Sequence, residues 1–207
     1  MCLKITWYGH SCFLVETAEG SAVLDPYSPG SVPGLRLPAL TADLVLCSHE
    51  HGDHNWRDGV TLTGRNAALS VSRLDTWHDE VGGLRRGANA VTVLEAEGLR
   101  VVHMGDLGHM LSGKQLEQLG AVDVLLLPVG GFYTIGPETA WDLARAIRPK
   151  ILVPMHYRGA GFGFDVLSPV EDFLALAENV RRLDGNVLEP DKLTTPVTAV
   201  LRCPVEA

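Results

Sequence analysis

Short apolar runs recur through the first fifty positions with turn residues between them, at 3–7, 12–16, 22–24 and 44–47. Their brevity and their content of Val, Ile and Leu favour strands over helices, so the N-terminal part predicts a sheet. Between residues 25 and 38 the run DPYSPGSVPGLRLP carries prolines and glycines at spacings that exclude regular structure and predict a surface loop close to a site. Strand-like runs return at 91–94, Leu99–His103, 122–127 and 151–154, with a closing strand at 197–202. Helical periodicity lies between them at 114–119, at Pro137–Ile147, where the proline suits a first turn, and at 170–180. Alternating strands and helices predict an α/β architecture.

The length and composition sharpen this picture. A chain of 207 residues with 46% hydrophobic and 20% charged side chains has enough apolar content to fold throughout. Without an internal repeat or polar linker, residues 1–207 are expected to form a single domain of two halves around one core. A net charge of -8 disfavours nucleic acid as a partner, because an acidic surface repels a phosphate backbone. The pairs Arg85–Arg86 and Arg181–Arg182 read as solvated surface residues, although a local basic patch built from them stays open. The stretch MCLKITWYGHSCFLVE resembles neither a secretory signal nor a membrane anchor, and no run approaches the roughly 20 apolar residues of a membrane span. Cys2, Cys12, Cys47 and Cys203 show no metal-binding or disulfide spacing. A reducing cytoplasm is the expected compartment.

The chemistry concentrates where the run at 44–47 passes into Ser48-His49-Glu50-His51-Gly52-Asp53-His54. Neutral imidazoles and carboxylates suit zinc and similar divalent ions. In an extended segment His49 and His51 point to the same side and Glu50 to the other, giving two ligands to one metal. Gly52 permits a turn of the backbone that brings Asp53 and His54 to a neighbouring position, a second metal site. Further candidates, His78, Asp106 and His156, stand at the ends of predicted strands, where α/β scaffolds gather functional groups.

The pattern HxHxDH, a distant His, a Gly-Asp step after a strand and a final His resembles the metallo-β-lactamase superfamily. Within it the chain is most similar to the branch of ascorbate-6-phosphate lactonase and other metal-dependent hydrolases. The matching pieces are Trp7-Tyr8-Gly9-His10-Ser11, Asp25-Pro26, SHEHGDH, Gly105-Asp106-Leu107-Gly108-His109, LLLPVGG and PMHY. The resemblance implies a four-layer αββα sandwich with two divalent metal ions, zinc or manganese, at one edge. It implies that His49, His51 and His78 bind the first, that Asp53, His54 and His156 bind the second, and that Asp106 bridges them; Asp79 is the rival to His78. Iron-binding oxygen reductases of this fold resemble HxExDH, so His51 argues against an iron redox site.

The expected activity is hydrolysis of a small ester, lactone or phosphodiester by a hydroxide that the two cations generate near neutral pH. Asp53 is the candidate to orient that nucleophile and take its proton, and His109 the candidate proton donor to a leaving group, a surface role being the alternative. His10 and Asp25 either support ligands by hydrogen bonding or are a structural histidine and an Asp-Pro turn. Tyr133, Tyr157 and Arg158 are candidates for holding a small-molecule substrate. An iron-loaded redox protein and a noncatalytic binding domain on the same fold are the alternatives.

Overall fold

The computed structural model describes residues 3–205. In chain order the strands are β1 (Lys4–Trp7), β2 (Phe13–Glu16), β3 (Ser21–Leu24), β4 (Leu40–Ala42), β5 (Leu44–Leu46), β6 (Val60–Leu62), β7 (Ser70–Trp77), β8 (Ala88–Ala96) and β9 (Leu99–His103). Then follow α1 (Gly113–Leu119), β10 (Val124–Pro128), α2 (Pro137–Ile147), β11 (Ile151–Met155), α3 (Val170–Leu174), β12 (Val180–Arg182), β13 (Val187–Leu188) and β14 (Val197–Val200). One sheet has the order β13-β1-β2-β3-β5, and a second has the order β12-β14-β11-β10-β9-β8-β7; β4 and β6 form a separate pair. The first sheet is antiparallel except where β5 lies parallel to β3. The second is parallel from β12 to β9 and antiparallel across β8 and β7.

Side-chain pattern explains these positions. VLLLP of β10 and ILVPM of β11 are buried at every residue, as parallel strands covered on both faces must be. By contrast β7 is largely exposed, which suits the edge it occupies. One apolar core runs through both sheets, and Phe13 of β2 meets His103 of β9 edge-on with ring centroids 5.9 Å apart. On α2, Pro137 occupies the first turn and Ala140, Leu143 and Ala144 share its buried face; Trp141 meets Phe173 of α3. At α1, Ser112 and Gln115 form a reciprocal capping box.

The structure corrects one expected element. The helix predicted over residues 170–180 ends at Leu174, and Val180 belongs to β12, paired with Thr198. Asn179 adopts a left-handed backbone with φ 51°, which turns the chain into that strand. The loop expected over residues 25–38 is irregular in the structure. Cys12, Cys47 and Cys203 are buried thiols, and Cys2 lies outside the described residues. Among the described residues no helix is long and apolar enough to cross a membrane.

Strand direction places the candidate residues together. Asp25, His78 and His156 immediately follow β3, β7 and β11, while His10, His49 and Asp106 lie three residues beyond β1, β5 and β9. C-terminal strand ends from both sheets therefore meet along one edge of the sandwich. Two backbone hydrogen bonds tie that edge across the sheets: His156 N–H donates to His10 O at 3.2 Å, and Ala90 N–H to Ser48 O at 2.9 Å.

Candidate metal centre

The site is built on backbone that ordinary residues seldom adopt. His10, Asp25 and His156 have φ values of 51°, 44° and 54°, and left-handed non-glycine residues are concentrated where geometry serves a function. Gly105, with φ 56°, has no room for a side chain: a Cβ there would lie 2.4 Å from both Asn89 Oδ1 and Ser48 Cβ. That close approach lets Asn89 accept from the Asp106 N–H at 2.9 Å while donating to Met104 O at 3.0 Å and Thr76 Oγ1 at 2.8 Å. The Gly-Asp step is thus fixed before its carboxylate enters the site.

Asp106 is the centre of the arrangement. Its Oδ2 lies 3.2 Å from His54 Nε2, 3.2 Å from His156 Nε2, 3.3 Å from His78 Nε2 and 4.0 Å from His49 Nε2. Around it the ligand atoms of His49, His51 and His78 lie within 4.8 Å of one another, and those of His10, His54 and His156 do the same. Asp53 Oδ2 is 3.8 Å from His54 Nε2 and 3.5 Å from His10 Nε2. The structure therefore gathers His49, His51, His78, Asp53, His54, Asp106 and His156, and adds His10, whose ring centroid is 4.1 Å from that of His156. The sequence signal for His10 is its place at the end of the first strand; its approach to His156 of the other sheet depends on how the sandwich closes.

Asp25 is the support beneath. Its carboxylate accepts hydrogen bonds from Ser48 N–H and Ser48 Oγ–H, both at 2.6 Å, and from His54 Nδ1–H at 2.8 Å. Ser48 Oγ in turn lies 2.9 Å from His49 Nδ1. With the Ser48 hydroxyl proton directed at Asp25, His49 Nδ1–H donates to Ser48 Oγ. One carboxylate thereby holds a proton on Nδ1 of both imidazoles and leaves Nε2 as the atom turned toward Asp106.

Electrostatics follow from burial and from this crowding. Burial, and then His156, depress His10 to about 3; burial, and then His54, depress His49 to about 4. For His54 burial opposes protonation, yet Asp106 and Asp25 together raise it well above the ordinary histidine value. Burial would raise the carboxylates, but the surrounding imidazoles hold Asp106 well below the usual range and, through the His10 contact, lower Asp53 also. They stay ionised and available as anionic ligands.

These residues fit divalent cations. His49 Nε2, His54 Nε2, both ring nitrogens of His10 and His156, and Asp106 Oδ1 are buried without a hydrogen-bond partner. So many unsatisfied polar atoms buried in one cluster are costly unless something with matching chemistry binds them, and imidazole nitrogen with carboxylate oxygen is a zinc- or manganese-type donor set.

The remaining candidates separate. His109 Nδ1–H donates to Met110 O at 2.8 Å and its Nε2 accepts from Trp77 N–H at 3.1 Å, so both nitrogens hold backbone and a proton donor there would first have to release a partner. Asp79 turns away from the cluster and binds the backbone of its own loop. Tyr157 is 4% exposed, packed between Trp7 and Phe162, and Arg158 Nε donates to Leu167 O at 2.7 Å. Tyr133 instead lines the cavity above His51 and Asp106.

A protein-family model described as a β-lactamase superfamily domain matches residues 4–156. The chain belongs to the metallo-β-lactamase superfamily and has its fold. Among its relatives, a metal-dependent hydrolase of Archaeoglobus fulgidus is 30% identical, the match covering 75% of this chain and 83% of the relative. A Thermotoga maritima structure assigned as a Zn-dependent hydrolase of the metallo-β-lactamase superfamily is 35% identical with a TM-score of 0.73, covering 96% of this chain and 98% of that one. Igni18, a metallo hydrolase of Ignicoccus hospitalis, shares the fold with a TM-score of 0.64 at 19% identity over 99% of this chain and 96% of its own.

Proposed function

We propose that this protein is a metal-dependent hydrolase that holds two divalent cations, zinc or manganese, and cleaves a small ester, lactone or phosphodiester. One observation carries the reading: Asp106 Oδ2 stands 3.2–3.3 Å from imidazoles of three separate elements, His54, His78 and His156, between two clusters of ligand atoms. A single carboxylate shared by two donor groups is the arrangement that two cations a few ångströms apart require. His49, His51 and His78 would hold one cation and Asp53, His54 and His156 the other, with Asp106 between. When bound, such a pair supplies a water acidified toward neutrality and polarises the substrate oxygen.

The chain's own residues supply the rest. The Asp53 side chain is 22% exposed beside nearly closed imidazoles, so its carboxylate reaches the substrate cavity as well as the metal position. It orients the attacking water by accepting a hydrogen bond and takes its proton. His10 Nε2 lies 3.5 Å from that carboxylate and is fully buried, so it limits where the carboxylate can turn. Asp25 and Ser48 hold Nδ1 of His49 and His54 and so keep their Nε2 atoms turned inward. The expected partner is a small molecule, since the cavity is only about 310 Å³.

Activity on a panel of lactones, esters and phosphodiesters tests the reading. Chelator-stripped protein is expected to be inactive and to recover with Zn²⁺ or Mn²⁺, and Asp53→Ala to lose turnover while melting near the wild-type temperature. Full activity in Asp53→Ala, or hydrolysis indifferent to stripping, would contradict it.

A further inference from the structure

The cavity of about 310 Å³ over the candidate centre has two kinds of wall. One is the cluster itself, represented by His51, Asp53, His78 and Asp106; the other is Arg85, Arg86, Tyr133 and Phe164. In a chain with a net charge of -8, two adjacent arginines at the mouth of this cavity need a reason.

The two are not equivalent. Arg85 is 61% exposed at its side chain and paired with Glu80. Arg86 is half-buried and, among the described residues, meets no carboxylate; its guanidinium carbon lies 5.7 Å from the centre of the Tyr133 ring. A half-buried guanidinium stacked on an aromatic face retains its donors for a planar or tetrahedral anion.

Its backbone is held in advance. Asp79, 1% exposed, accepts from four successive parts of the loop: Val81 N–H at 3.0 Å, Gly83 N–H at 2.8 Å, Arg85 N–H at 2.9 Å and Arg86 N–H at 2.8 Å. The loop closes where His78 N–H donates to Gly87 O at 3.1 Å. The same loop thus begins on a candidate metal ligand, His78, and ends on Arg86, so the distance between cluster and guanidinium is set by one tightly bonded turn. Preorganisation of this kind is what a recognition residue needs; Arg85 shares the held backbone, and what sets Arg86 apart is the stacking of its guanidinium on Tyr133.

We infer that Arg86, backed by Tyr133, is an anion-binding subsite, and that the substrate carries a carboxylate or phosphate group in addition to the bond that is cleaved. The substrate class follows: small anionic esters, lactones or phosphate esters. The inference rests on the hydrolase reading for the bond cleaved, but the anion site itself can be measured without turnover.

Calorimetric titration of the metal-loaded protein with succinate and with inorganic phosphate, at low ionic strength, gives that measurement. Both anions can also contact the cations, so the wild type is compared with Arg86→Gln and with Arg85→Gln. Affinity is expected to fall about tenfold or more in Arg86→Gln and less than about threefold in Arg85→Gln. A drop for phosphate alone assigns the subsite to phosphate, and a drop for succinate alone assigns it to carboxylate. In parallel, the ratio of kcat/KM for a charged ester over its uncharged analogue should fall about tenfold in Arg86→Gln. Arg86-dependent anion binding with no hydrolysis of any substrate would uphold the subsite and overturn the hydrolase reading. Equal affinities in wild type and Arg86→Gln overturn the subsite, whether or not hydrolysis is found.

Discussion

Replacing Asp25 by asparagine changes one atom and should reverse two tautomers. The carboxylate is 1% exposed and accepts three hydrogen bonds, so an amide nitrogen in place of Oδ2 must find acceptors among groups that now donate to it. His54 Nδ1 can accept only if its proton moves to Nε2. The Ser48 hydroxyl, receiving from the amide, turns its proton toward His49 Nδ1, which moves that proton to Nε2 as well. Both Nε2 atoms then carry hydrogens where lone pairs are needed. Outer partners of ligating histidines are worth about 10- to 100-fold in metal affinity, about 1.4–2.7 kcal/mol. Because the amide keeps the shape and every hydrogen bond has a tautomeric solution, the fold should survive. Asp25→Ala, which leaves three buried donors unsatisfied, should instead lose about 3–5 kcal/mol of a total stability of about 5–15 kcal/mol. Competition for Zn²⁺ against a chromophoric chelator reads the affinity, and thermal melting reads the fold. If Asp25→Asn binds zinc as tightly as the wild type, the relay through Ser48 and Asp25 does not set the ligand tautomers.

Other consequences are independent of that relay. In protein stripped of metal, His10 at about 3 and His49 at about 4 refuse protons that the unfolded chain, at about 6.5, accepts. Stability should therefore rise with pH between about 4 and 6.5, by about 1.4 kcal/mol per pH unit for each histidine. The lowered His78 and His103 act in the same direction. His54, raised above 6.5, is protonated in both forms across this window, and its contribution is lost only as the pH rises further through its folded value. Urea unfolding at pH 4.5, 5.5 and 6.5 checks the slope, and a flat or falling profile would refute it. At α1, Ser112→Ala removes the hydroxyl that accepts from Gln115 N–H and should cost about 1 kcal/mol. Calorimetry should register that as a melting point lower by about 2–4 °C.

Legibility in the sequence tracked how local each signal was. Fully buried strands such as β10 and β11 are continuous apolar runs, and α2 announces its start with Pro137, so these could be read from neighbouring residues alone. The polar edge strand β7 and the exposed β12 carry no such run; sheet pairing makes them strands. The helix read over residues 170–180 failed because the apolar spacing of Val170, Phe173 and Leu174 continues into Ala177 and Val180, although Asn179 reverses the chain first. At the site, the segment from His49 to His54 is local, whereas His78, Asp106 and His156 drew their meaning from their order along the chain. His10 and the Arg85–Arg86 pair were legible only as open alternatives, the one as a support for ligands or a structural histidine, the other as solvated surface or a local basic patch. His10 comes from the same sheet as the His49–His54 segment and meets His156 of the other, and the Arg86 backbone is held by Asp79, the rival ligand to His78.

Metal content of protein purified without added metal or chelator bears most directly on the paired site. Elemental analysis should find about two zinc or manganese ions per chain, as a carboxylate shared between two donor clusters implies. Asp106→Ala, lacking that shared carboxylate, should retain fewer. Two irons would favour a redox protein on this fold, and no bound metal after reconstitution with Zn²⁺ or Mn²⁺ would contradict the assignment of these histidines and aspartates as ligands.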